Sequence, residues 1–459
     1  MRLIGQIALV LVMFLGAGPS AAQDSQYWTQ KYGTRGLLLS GVVIGHGVDL
    51  STTFYNPGGL ALLSDSMSVI AVKAYDFSNV KIVDATLTGK DLSEPRNSVL
   101  PTFFGGTTPF RLFGSSPLAY SLFPRQLAKF NMNARGILVA DALPQAAGPE
   151  DVVTEARFEE DLDETWGGVT WSKRIGGRAA IGLSQYVAIR SQRTRRQLTA
   201  EALANDSIAG AAVDVRGFSY NDIRAVTKLG LVLEFSSLKA GLAITSPGVH
   251  ISGSADVGWN RFRDGIDVDN DGNLDNELIA SFQEGVPVKF RSPPAIGAGL
   301  SFDTHSTTIH LSAEAFGSQD RYSVFELAPA TELGSGQSVA FQFYDERESV
   351  LNYGVGVEHH TGPVSALFAS FSSDITANPH ATSDLAFGDW DSYLITAGMI
   401  FPIGRTEFTL GLGYGFGSGD AERFKRLDDS AATGTILGTD FDQAETRYQN
   451  FRLIVGFTI

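Results

Sequence analysis

From residue 65 onward, apolar and polar side chains alternate with a period of two. Phe408, Leu410, Leu412, Tyr414 and Phe416 share one face, and Thr409, Gly411, Gly413, Gly415 and Gly417 form the other. Leu229, Leu231, Leu233 and Phe235 alternate with Gly230, Val232, Glu234 and Ser236, and Tyr353, Val355 and Val357 with Gly354, Gly356 and Glu358. Ile181, Leu183, Val187 and Ile189 keep the same rhythm. This period marks β-strands with two unlike faces. The runs are often near 20 residues, against about 5–6 in soluble sheets. The breaks between them also alternate. Short turns fall at 175–177, 236–237, 303–305, 361–363 and 402–404, and longer polar loops near 198–211, 262–288, 326–338, 374–384 and 418–440.

Short turns at one end and long loops at the other are the mark of an outer-membrane barrel. The fold predicted is all-β: a transmembrane antiparallel β-barrel of about 14 strands over residues 65–459, an even number as bacterial barrels require. About eleven strands follow Phe158, and about three fit in 65–150, a stretch broken by Pro101, Pro109, Pro117 and Pro124. The last strand alternates Phe451, Leu453, Val455, Phe457 and Ile459 to the terminus. Barrels of this kind usually end on an aromatic residue read by the barrel assembly machinery. Here Phe457 stands two residues before the end.

The chain before the barrel has no such period. Arg2, the apolar run Leu3 to Leu15 and the small residues Gly16 to Ala22 predict a secretory signal peptide over 1–22, cleaved after Ser20-Ala21-Ala22. The run is shorter than the roughly 20 residues a spanning helix needs. Residues 23–64 follow as an N-terminal plug. Gly36 to Leu50 is small, apolar and glycine-rich, and Leu37-Leu38-Leu39 with Val42-Val43-Ile44 favours at most a short helix. Phe54, Tyr55, Asn56, Pro57, Gly58, Gly59 and Leu60 combine an apolar lead-in with a chain-reversing Asn-Pro-Gly-Gly and are the candidate plug and pathway residues. The side-chain amide of Asn56 is expected to bond plug backbone or barrel wall.

Composition narrows the picture. The net charge is −15 and the isoelectric point about 4.9, which argues against nucleic acid as a partner. There is no cysteine, so the fold rests on its ladders rather than on disulfides. There is neither G-x-x-x-x-G-K-[ST] nor G-x-S-x-G, and seven histidines offer little for catalysis, so the chain is not expected to be an enzyme. No cofactor is required.

Asp267, Asp269, Asp271, Asn273 and Asp275 space hard oxygens around Gly272 as a calcium loop does. The usual final Glu is absent, since Leu278 stands in its place. An acidic solvated turn is the plainer alternative to a structural calcium site in an extracellular loop. Arg190, Arg193, Arg195 and Arg196 cluster towards the outer end of one strand and are candidates for lipopolysaccharide phosphates, or for pairing with nearby acidic loops. His359-His360 lacks a third ligand and reads as a solvated strand end.

Three stretches together resemble the FadL-type long-chain fatty acid and hydrocarbon transporters of the bacterial outer membrane. Tyr55-Asn56-Pro57-Gly58-Gly59-Leu60-Ala61 is similar to the family's plug motif. Lys239 to Pro247 resembles its strand ending in a Ser-Pro step, and Ser292 to Phe302 its Pro-rich Gly-Leu strand with Phe302 in the aromatic place. The resemblance implies a fourteen-stranded barrel with an N-terminal hatch. It also implies passive uptake of hydrophobic small molecules, with a lateral opening made by a kinked third strand, here within 97–125. A monomer in contact with outer-membrane lipids and lipopolysaccharide is expected. The alternative is a structural or adhesive barrel with a blocked lumen.

Overall fold

The computed structural model describes residues 25–459, except 64–67, 84–90, 113–115, 141–142, 144–145, 205–206, 267–273, 379–382, 386–388 and 425–440. The predicted signal peptide therefore lies outside the described residues. No described helix is long and apolar enough to cross a membrane, which says nothing of a β-barrel.

Antiparallel strands run in order: β1 (Ser68–Ile82), β2 (Leu92–Leu112), β3 (Ser116–Ala140), β4 (Glu150–Ile175), β5 (Ala179–Ala204), β6 (Ser207–Phe235), β7 (Leu238–Thr245), β8 (Val249–Ile266), β9 (Asp275–Pro287), β10 (Ala295–Thr304) and β11 (Thr307–Phe316). Two short hairpins follow, formed by β12 (Gln319–Ser323), β13 (Ala330–Thr331), β14 (Ser338–Val339) and β15 (Tyr344–Arg347). The wall is completed by β16 (Val350–His360), β17 (Ala366–Asp374), β18 (Asp389–Ile403), β19 (Thr406–Phe424) and β20 (Phe441–Thr458). One sheet holds 16 of these segments, and pairing of β5 with β6 closes it. Since β8 prolongs β7 and β10 prolongs β9, these 16 segments make a closed barrel of 14 strands. A closed barrel leaves no edge unpaired, so a bilayer can surround it.

Ile175, Phe235, Thr304, His360 and Ile403 each end a strand at a position read as a short turn. The loop readings need correction. Residues 198–211 are mostly ladder, because β5 and β6 stay paired to Ala204 and Ser207. Much of 262–288 likewise belongs to β8 and β9. Polar strand ends there satisfy their backbone in the sheet rather than in a loop. The residues on the predicted apolar faces point outward: Leu412 is 51% exposed, Leu229 51% and Val355 40%. On the inward positions Val232 is fully buried, and Gly354 meets Val42 of the N-terminal segment.

Residues 25–63 pack against these inward faces. The segment contains a helix over Thr34–Leu38, another over Thr52–Tyr55 and a 3-10 helix over Pro57–Leu62. The Asn-Pro-Gly-Gly stretch is thus the start of that last helix, with Pro57 fixing its first turn. Asn56 Nδ2 donates to the Ile44 carbonyl at 2.9 Å and to the Leu231 carbonyl of β6 at 3.0 Å, while Oδ1 accepts from Gly58 N at 3.1 Å. One amide therefore ties the segment to itself and to the wall. Close approach is possible because the wall bears glycine there: a Cβ on Gly182 would overlap Pro57, on Gly230 Asn56, and on Gly241 Ile44. At the far end, Trp28 N donates to Asp374 at 2.8 Å and Arg35 pairs with Glu358 of β16 at 2.7 Å.

His46 sits against the wall with Nε2 3.2 Å from Lys239 Nζ. Burial, then Lys239 and His310, push its pKa from 6.5 down to about 4, against the weaker opposing pull of Asp303 and Glu358. The unfolded chain therefore takes up a proton that the folded one refuses. This contribution to stability falls as pH drops through the window between 6.5 and about 4.

Asn56→Ala leaves the Ile44 and Leu231 carbonyls short of a donor and should destabilise docking of the segment by about 2–3 kcal/mol. The expected readout is faster amide exchange over 25–63 with the wall strands still protected. Acidification from pH 7 to about 4.5 should accelerate protease cleavage within the same segment. His46→Gln, which cannot take up the proton, should flatten that dependence; an unchanged slope would exclude His46 as its source.

Candidate functional site

The site forms where the N-terminal segment meets the inward faces of β3, β4, β6 and β11. Its space is open to solvent at a mouth. Aromatic rings provide the apolar walls: Tyr27 and Phe54 from the segment, Trp166 from β4, Phe290, and Phe316 at the end of β11. Tyr27 stacks on Phe316 at 4.4 Å, and Phe54 meets Trp166 edge-on at 6.1 Å. Of the expected pathway residues, Phe54 alone faces this space. Tyr55, Asn56, Pro57, Gly58 and Leu60 are buried in segment and wall contacts, and an added Cβ on Gly59 would meet Gly47. They hold the ring of Phe54 in place rather than line the space themselves.

Charged side chains reach the same space. Glu164 accepts from Trp166 Nε1 at 2.7 Å, from Arg224 at 2.7 Å and from Arg190 at 3.1 Å. Arg224 Nε lies 2.6 Å from Asp222, whose other oxygen is 2.8 Å from His250 Nδ1. Lys228 pairs with Glu314 at 3.3 Å, and Trp28 Nε1 donates to Glu314 at 2.7 Å. Apart from the exposed His250, these groups are buried inside a barrel, where an unpaired charge is costly, and they occur as pairs. Arg125 differs. It donates to the Tyr27 carbonyl at 2.6 Å and stands over the rings of Phe54 and Trp166 at 5.4 and 5.7 Å. Among the described residues, no carboxylate lies within ion-pairing distance of it. Arg291, over the ring of Tyr322 at 4.5 Å, also borders the space without an ion pair among the described residues, so the space combines rings with an excess of positive charge.

Arg190 corrects the sequence reading. Its side chain is fully buried, bonded to Glu164, Gln126, Tyr220 and Gln192, and packed on Phe290 at 4.2 Å. It cannot meet lipopolysaccharide. Arg193 and Arg195 are exposed on the opposite face, and Arg196 lies over Phe158 at 5.5 Å. The parity of the strand held the signal: Val187 and Ile189 face outward, so Arg190 faces in and Arg193 and Arg195 face out. Asp267, Asp269, Asp271 and Asn273 lie outside the described residues, while Asp275 opens β9 opposite Ile266. His359 and His360 end β16. Sequence reasoning missed Arg125, Glu164, Lys228 and Glu314. The available clue was a charged residue at an inward position of a spanning strand.

The wall is interrupted in two places beside this space. The β2–β3 ladder stops at Phe104↔Leu122; beyond it, among the described residues, β3 pairs only with β4. A bulge at Arg125 re-aims that side chain into the lumen. This is within the 97–125 stretch expected to open, and the buried, stacked rings of Phe103 and Phe123 occupy it, 6.1 Å apart. The second interruption separates β7 from β8 and β9 from β10.

No protein-family model and no curated protein sequence matches this chain. Solved structures do. A Pseudomonas aeruginosa FadL homologue superposes with a TM-score of 0.60 at 10% identity, covering 94% of this chain and 99% of that one. The Pseudomonas putida toluene transporter TodX gives 0.57 at 12% identity over 94% and 98% of the two chains. The CymD monoaromatic hydrocarbon channel gives 0.56 at 9% identity over 94% and 97%. At such identities the likeness establishes the fold: a closed barrel of the FadL type.

Proposed function

We propose that this protein is an outer-membrane channel that takes up a hydrophobic small molecule by diffusion, exported by a cleaved signal peptide. The observation that carries the reading is the ring-lined space between the N-terminal segment and the wall, inside a barrel girdled by outward Leu, Ile, Val and Phe. Residues 25–63 act as its plug. A solute leaving water for those rings gains about 25 cal/mol per Å² of apolar area, so no energy-coupling site is needed. The likeness to a toluene transporter and to a monoaromatic hydrocarbon channel supports the class of cargo.

Arg125 refines the choice within that class. A cation without a carboxylate partner favours a cargo that brings its own acid head, so a long-chain fatty acid fits better than toluene. Arg193 and Arg195 keep the outward placement that contact with lipopolysaccharide requires.

Cells carrying the gene should accumulate labelled oleate faster than cells without it. Arg125→Met should slow oleate uptake by about tenfold while leaving toluene uptake within about twofold, since only oleate presents a carboxylate. Loss of both cargoes in the variant would assign Arg125 to packing alone. No gene-dependent uptake of either would favour a structural barrel with a blocked lumen.

A further inference from the structure

The wall is uneven in height. β4, β5 and β6 run for 26, 26 and 29 residues, whereas β16 and β17 run for 11 and 9. On the tall side the outward apolar band reaches Ile189 and Ile223, which pair across β5 and β6. Lipid needs a band only about 25 Å tall, so the strands beyond it stand clear of the hydrocarbon. The next outward positions are polar, at Ser191, Asn221, Ser219 and Asp256.

Higher still, the outward face divides. On β3, β4 and β5 it carries charges of both signs, as in the rows Lys129–Asp161–Arg193 and Asn131–Glu159–Arg195. On β6, β8 and β9 three successive rows carry none. Val213, Phe262 and Leu278 stand side by side in the first. Leu333, just past β13, extends that row; its amide donates to Leu278 O at 2.8 Å and its side chain is 61% exposed. Val215, Asn260 and Ala280 form the second row, and Phe282, 68% exposed, ends the third after Gly217 and Gly258. Val215 lies about 20 Å above Ile223 at the rise and tilt usual for barrel strands. A contiguous apolar patch in that position marks an interaction surface, because no lipid tail reaches it.

The rim of the patch indicates what covers it. Arg195 borders it on the β5 side, in register with Gly217, and Glu284 borders it on β9, just past Phe282. Among the described residues, neither has an opposite charge within ion-pairing distance. Barrels of one kind all enter the membrane the same way up, so every copy presents this patch sideways at one height. Two copies that meet through it are related by a two-fold axis along the membrane normal. That rotation sets the β5 edge of each copy against the β9 edge of the other, so Arg195 comes opposite Glu284 twice. An apolar centre with charge at its rim is the usual composition of such an interface. Confinement to one membrane raises the effective concentration, so a modest patch suffices.

We propose that the outward face of β6, β8 and β9 above the membrane is a docking surface for a second copy of this chain. The protein is then a dimer rather than the monomer expected from its sequence. The proposal does not depend on the transport reading.

The chain has no cysteine, so a single introduced thiol reports on its own surroundings. Ala280→Cys places one near the centre of the patch, and Arg447→Cys places a control on the exposed face of β20. The assay is mild oxidation of outer membranes carrying each full-length variant, followed by electrophoresis without reductant. Ala280→Cys should give at least about fivefold more disulfide-linked dimer than the control. Adding Phe282→Glu should lower the yield about fivefold, while the compact migration of unboiled protein shows the barrel still folded. Arg195→Glu should lower it as well, and Glu284→Arg in the same chain should restore it. A yield no higher than the control, or one that Phe282→Glu leaves unchanged, rejects the interface. Failure of the double reversal to restore the yield rejects the two-fold arrangement. A linked product containing a different protein in place of the dimer rejects the second copy as occupant.

Discussion

An irregular segment inside a closed barrel must satisfy its backbone against a wall whose own backbone groups are already paired in ladders. The rest of this structure follows from how that is done. Where the two backbones touch, the wall carries glycine, as at Gly182, Gly230 and Gly241. Where a bond has to cross, it carries a polar side chain, often Ser or Tyr. Ser172 Oγ receives Ala61 N at 3.2 Å, Ser312 Oγ receives Ile44 N at 3.2 Å, and Ser370 Oγ donates to Leu38 O at 2.8 Å. Tyr186 and Ser184 both reach Thr53 O at 2.6 Å. Inside the segment Asp49 performs the same task, accepting from Arg35 N at 2.7 Å and Ser51 N at 2.8 Å. Buried backbone polar groups are rarely left unpaired, and here side chains supply what regular structure would otherwise provide.

The fold was largely legible because period two needs no partner to be seen. The outward row from Phe408 to Phe416 and the five tight turns required only alternation and loop length. Residues 198–211 were misread because polarity there signals water, not the end of pairing; the β5–β6 ladder continues beyond the apolar band. The site was less legible. Phe54 announced itself beside Asn56, but Arg125, Glu164, Lys228 and Glu314 come from strands far apart in sequence, and nothing local says that they meet. Arg190 is the intermediate case. The same parity that identified its strand also placed its side chain, had the rule been carried one residue further. Ser246-Pro247 and Ser292-Pro293-Pro294 were visible as strand-end motifs, yet only the register shows that they face each other across one interruption of the wall.

The charges of the interior have a common geometry. Glu164 holds Arg190 and Arg224 side by side on the face of Phe290, whose ring centre lies 4.2 and 4.6 Å from the two guanidinium carbons. Glu314 balances Lys228, and Lys228 in turn stands over Phe54 at 4.4 Å. Each cation therefore has both a carboxylate and a ring as neighbours. Among the described residues, Arg125 and Arg291 have rings without a carboxylate at ion-pairing distance, so the site is asymmetric in charge although much of it is assembled from balanced pairs.

The contacts of the N-terminal segment also have a consequence in time. Gln26 bonds to Trp390 O at 3.0 Å, Trp28 to Asp374, and Thr34 to Thr458 at 3.1 Å, across sequence separations of 364, 346 and 424 residues. A chain made from its N-terminus onward presents these residues first and their partners last. Leu37, Leu38, Leu39, Val42, Val43 and Ile44, all buried in the finished protein, have no enclosure until the final hairpins exist. Contacts this distant are slow to form. Throughout synthesis the chain carries an apolar stretch with nowhere to go, and its solubility in that interval depends on whatever escorts it.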